Sequence, residues 1–158
     1  MTTPAISSHP TFEPSRAVLF GTLTVGALDI LDAFVFHGFR GVAPGVILQS
    51  IASGLLGRAA YSGGFTTQAL GALLHFFIAF VVVLVYFLAS RRVGLLRRRP
   101  WVCGAFYGVA VWLAMSFVVV PLSAAVIGPR TWPGVVNGLT IHVLGVGLPS
   151  ALFARAAR

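Results

Sequence analysis

Four predominantly apolar stretches, about residues 17–39, 64–90, 101–120 and 134–154, take up most of this 158-residue chain and leave only short connections between them. A helix rises 1.5 Å per residue, so about twenty residues cover the ~30 Å hydrocarbon core of a bilayer. In lipid there is no water for the backbone, and a single spanning segment satisfies its own N–H and C=O groups only as an α-helix. The pattern predicts an all-α chain: a polytopic membrane four-helix bundle. Only 9% of residues are charged, against about 25% in a soluble domain, too few to dress a water-facing surface. Residues 1–16, MTTPAISSHPTFEPSR, are rich in Pro, Ser and Thr and read as a disordered cytoplasmic tail before a transmembrane domain over 17–155. The first apolar run is too long, and too acidic at its centre, for a cleaved signal peptide.

All 11 basic residues are arginine, and the net charge is +8. In a soluble protein that balance points to nucleic acid. Here the arginines lie between the apolar runs, where they set orientation, and no nucleic-acid partner is expected. Arg91, Arg92, Arg97, Arg98 and Arg99 crowd the link between spans two and three. Short loops dense in arginine stay in the cytoplasm. Arg16, Arg155 and Arg158 fall on the same side, which places both termini there and leaves Arg40, Arg58 and Arg130 outside. The same basic run suits anionic lipid head groups, although orientation alone accounts for it. The single cysteine, Cys103, excludes an internal disulfide.

Between spans one and two lies a shorter apolar piece, Ala43 to Gly57. Its fifteen residues make only about 22 Å of helix, short of the core. Pro44 suits a helix start and Gly57 a stop. Gln49, Ser50 and Ser53 share one side and Ile47, Leu48, Ile51 and Leu55 the other, which predicts an amphipathic helix at the interface or a re-entrant one.

Two of the three acidic residues, Asp29 and Asp32, stand in the middle of span one. An aspartate at the centre of a spanning helix costs about 2.5–3.5 kcal/mol on insertion scales, so the pair requires partners or protons. Asp32 is seven residues in from Phe39, Asp29 ten; His75 is ten in from Phe65, and His142 eight in from Gly134. All four groups therefore fall at one level, about 10–15 Å below the outer helix ends. Facing considerations add Thr22, Gln68 and Tyr86 as neighbours, with His37, Arg40 and Gln49 at the outer mouth.

Several readings fit this constellation. The four groups could exchange protons or small cations. They could equally be a polar packing core in a structural or accessory subunit, each histidine donating to a carbonyl or an aspartate. Asp29, Asp32, His75 and His142 offer mixed O/N ligands to Zn, Fe or Mn, without any HxxxH or ExxH spacing. A b-type haem between His75 and His142 completes the set as a redox alternative. No nucleophile triad, phosphate loop or zinc motif appears, so neither an enzyme nor a cofactor is expected. The lipid bilayer is the evident partner, and four helices leave little room for a private pathway, which favours a homo-oligomer or larger membrane complex.

At Ile47–Gly57, Ala72–Phe80, Val118–Ala124 and His142–Pro149 the chain resembles a group of small, uncharacterised four-helix proteins of the bacterial inner membrane. The resemblance implies that location and four helices, and assigns no activity to any residue.

Overall fold

A computed structural model describes residues 12–157. The chain is all-α. Helix α1 covers Pro14–Gly38, α2 Pro44–Leu56, α3 Gly64–Arg92 and the short α4 Gly94–Arg98, with a 3₁₀ segment at Gly57–Ser62. Helix α5 covers Pro100–Leu122 and α6 Trp132–Ala156. Helices α1, α3, α5 and α6 are long and apolar enough to cross a membrane, and the chain is a multi-pass membrane protein. Large apolar side chains line its outside, among them Phe20, Leu73, Phe77, Phe106 and Leu144. In water such a surface would aggregate; against acyl chains it costs nothing.

The helix boundaries follow local chemistry. Proline opens α1, α2 and α5 within the first turn, where its missing N–H would have no partner anyway. At the start of α6 the Thr131 hydroxyl accepts from the Gly134 N–H, capping one of the free donors. Helix α2 ends at Gly57, whose φ of +57° only glycine adopts without strain. Most of the tail expected to be disordered lies outside the described residues. Of its last five, Pro14–Arg16 are already helical, and the Phe12 N–H donates to the Ala156 carbonyl at 3.0 Å. The two described ends of the chain thus meet on one side of the bundle.

Proline also shapes two spans from within. Helix α5 widens to π-type turns at Met115–Val119 and α6 at His142–Gly147. Pro121 and Pro149 stand just beyond these segments. Each lacks an N–H and presses on the carbonyl four residues back, and a widened turn relieves both faults without ending the helix. Span three therefore runs through Pro121 to Leu122 instead of stopping at residue 120.

Helix α2 is bound to the bundle, not laid loosely upon it. A Cβ at Gly71 would collide with the Leu48 carbonyl, so α2 and α3 touch backbone to backbone. The two expected faces do not separate cleanly, since Ile47 is buried and Ser50 exposed. Gln49 and Ser53 are buried, while Leu55 and Leu56 face outward. The loop after α5 closes over α2: the Ala124 N–H donates to the Gly54 carbonyl at 3.0 Å, and the Val126 N–H to the Ser53 hydroxyl at 3.3 Å.

Candidate functional site

Five helices, α1, α2, α3, α5 and α6, line a half-open cavity of about 590 Å³. Its polar lining is Asp29, Asp32, His37, Ser50, His75, Asn137 and His142; the rest is aliphatic, apart from Phe36 and Met115. The chamber runs toward the end of the bundle where α1 gives way to α2 and α6 begins, since Phe36, Val42 and Gly134 also line it. Both π-type turns border it, through Met115 on α5 and through His142 and Val146 on α6.

Asp29 stands between two histidines. One carboxylate oxygen is 4.0 Å from Nδ1 of His75, the other 4.0 Å from Nδ1 of His142. Among the described residues Asp29 accepts no hydrogen bond, and 4.0 Å is too long for a direct one. The histidines are held by backbone carbonyls. Nε2 of His75 lies 2.8 Å from the Gly26 carbonyl across the α1–α3 contact. Nδ1 of His142 lies 2.9 Å from the Gly138 carbonyl, one turn back on its own helix. A carbonyl only accepts, so these nitrogens carry hydrogen and the neutral rings are opposite tautomers. His75 then turns a lone pair toward Asp29, while the Nδ1–H of His142 is spent on Gly138 and gives Asp29 no hydrogen bond. Asp32 is satisfied differently: Asn137 Nδ2 donates to its Oδ2 at 2.7 Å, joining α1 to α6.

The other expected neighbours lie elsewhere. Thr22 is buried below the chamber with its hydroxyl unpartnered. Tyr86 is at the opposite end of the bundle, donating to the Leu96 carbonyl at 3.1 Å. Gln68 packs against Gly45 on α2. All three share a helix face with a chamber residue, but a face extends along the whole helix and the chamber does not. Gln49 is no mouth residue: it is 7% exposed, and its amide reaches the Thr67 hydroxyl at 3.4 Å. His37 lines the chamber, whereas Arg40 is not among its lining residues. Arg40 donates to the Phe36 carbonyl at 2.6 Å and lays its guanidinium 3.7 Å over the Phe36 ring, turned away from the aspartates.

Asn137 is the residue sequence reasoning missed. It sits inside the small-residue run Gly134–Gly138, where glycine spacing drew notice and the amide between did not. Its position five residues before His142 was the available signal.

A metal centre is not supported. Among the described residues no group of three or more His, Cys, Asp or Glu side chains is placed to hold an ion. A haem between His75 and His142 meets a geometric objection, because the Asp29 carboxylate occupies the space between the rings that the porphyrin would need. Comparison with protein-family models, with curated proteins and with solved structures finds no match.

Proposed function

We propose that this multi-pass membrane protein handles protons or small cations in the chamber, with Asp29 as the exchanging group and His75 and His142 as the groups that pass a proton to or from it. The observation that carries the reading is the state of Asp29: a carboxylate facing a cavity, unbonded, with an imidazole nitrogen 4.0 Å away on either side. A carboxylate among spanning helices is costly, and where it serves packing alone it is normally bonded. Asp32, tied to Asn137, is the example of that second condition in the same chamber. The reading places the protein in the bacterial inner membrane, as its resemblance to small four-helix proteins there implies. The arginine-dense link and both termini face the cytoplasm, and the working unit is a homo-oligomer or larger complex.

The deciding experiment is flux in proteoliposomes. Wild-type protein should carry a proton or alkali-cation current above empty vesicles, and Asp29→Asn should abolish it while remaining folded and inserted. Wild-type vesicles indistinguishable from empty ones across the pH range would leave the rival reading, a structural subunit whose polar groups only fasten helices. Orientation has its own check: reporters fused after Arg158 or inserted at Gly94 should read cytoplasmic, and one at Gly63 external. A cytoplasmic signal at Gly63 would overturn the proposed orientation.

A further inference from the structure

The chamber is far larger than a bare ion requires. One water molecule accounts for about 30 Å³ of liquid volume, and the cavity measures about 590 Å³. That size lies within the range of about 300–1,000 Å³ typical of sites for organic ligands. Its walls carry Val25, Ile30, Ile51, Ile78 and Met115, with Phe36 toward the mouth. The ionisable groups among its lining residues are Asp29, Asp32 and His37 from α1, His75 from α3 and His142 from α6; α2 contributes Ser50, and α5 only apolar residues. No arginine is among them. The chamber is therefore apolar over most of its wall and acidic at one point, with the acid unbonded.

We infer that the chamber binds a small lipophilic amine in its protonated form, the ammonium group seated between Asp29 and His75 and the hydrocarbon part against the aliphatic wall. This deepens the cation-handling reading and rests on its assignment of Asp29 as the cation-facing group. The spacing fits the head group. The Asp29 oxygen and the His75 lone pair are two acceptors 4.0 Å apart. A proton alone does not bridge that gap, but one nitrogen about 2.8 Å from each does, with its two N–H directions about 90° apart. His142, its Nδ1–H already given to the Gly138 carbonyl, borders the other Asp29 oxygen at 4.0 Å without bonding it, so that oxygen stays open as well. Asp32 is already engaged by Asn137 and adds negative potential instead of a contact. The hydrocarbon part covers wall that a hydrated alkali ion would leave wetted.

The test is saturation binding of benzylammonium to the purified full-length protein in lipid nanodiscs, with benzyl alcohol as the uncharged counterpart and sodium as the bare cation. Benzylammonium should bind saturably, benzyl alcohol at least about tenfold more weakly, as expected for loss of a charge-assisted hydrogen bond. Asp29→Asn should weaken the amine by a similar factor and leave the alcohol unchanged. Ala33→Leu, which adds bulk to the chamber wall and leaves every ionisable group in place, should weaken both. Equal binding of amine and alcohol, or no saturable binding of the amine, overturns the inference. The flux experiment is scored separately. Sodium or proton flux without amine binding retains the ion-handling reading and removes the amine, whereas amine binding without flux removes transport and leaves a receptor pocket.

Discussion

The two ends of the bundle are built on opposite terms. Toward α4 and the chain termini, small residues let the helices close: Ala17, Ala151, Ala154, Ser90 and Ser150 are at most 3% exposed. Most buried polar groups there have a near acceptor, the Thr22 hydroxyl excepted. Ser90 donates to the Phe87 carbonyl and Ser150 to the Val146 carbonyl, each at 2.7 Å. Tyr86 and Tyr107 meet edge to face at 4.9 Å, and each hydroxyl finds a backbone oxygen. Toward α2 the same helices separate around a chamber, and Asp29 is left without a bond. The two ends share helices, lipid and composition. What differs is helix separation: where backbones approach closely most polar groups find an acceptor within the bundle, and where they do not Asp29 remains free for an occupant.

The strongest way to break the contrast is to force the closed contacts apart. A Cβ at Gly108 would collide with the backbone of His142 and Val143, and one at Gly147 with Gly104 and Gly108. Gly108→Leu should cost about 1–3 kcal/mol by overpacking. It should be read as a lowered unfolding midpoint in detergent, together with displacement of His142 and loss of any activity that needs it. A midpoint equal to wild type would mean that α5 and α6 do not meet there.

A smaller effect tests each end with one atom. Tyr86→Phe removes a bond at a side chain 1% exposed and should destabilise by about 0.5–1.5 kcal/mol without altering binding or flux. Asp29→Asn removes no bond within the protein, so its stability should stay within about 0.5 kcal/mol of wild type while function is lost. Reversed outcomes, a silent tyrosine and an unstable asparagine variant, would abolish the distinction between ends.

The smallest expected effect has the opposite sign. The Thr22 hydroxyl is buried without a partner, and Thr22→Val keeps the shape while removing that group. The variant should gain up to about 1 kcal/mol. A loss of stability in thermal unfolding would show that the hydroxyl has an acceptor after all.

Much of this fold was legible because a membrane leaves few choices. The spans expected at 17–39, 64–90, 101–120 and 134–154 appear as Pro14–Gly38, Gly64–Arg92, Pro100–Leu122 and Trp132–Ala156. Bilayer thickness fixes their length and lipid fixes their composition. Counting rise along each helix was also enough to bring Asp29 level with His75 and His142. The same counting failed for Thr22, Gln68 and Tyr86, because sharing a face says nothing about where along that face a cavity opens. It failed for Gln49 because an amphipathic pattern does not say whether its polar side meets water or protein.

The sequence by itself determined the number, length and type of the helices and their short links, since each follows from a distance per residue set against a fixed hydrocarbon thickness, and helix rise alone set Asp29, His75 and His142 near one level. The tertiary structure decided which helices touch and which stand apart. It paired Asp32 with Asn137 and left Asp29 free, and it opened the chamber beside the turns widened before Pro121 and Pro149. Those outcomes depend on the rotation of each helix about its axis. A widened turn shifts that rotation for every residue beyond it, and only packing against the neighbouring helices fixes the result.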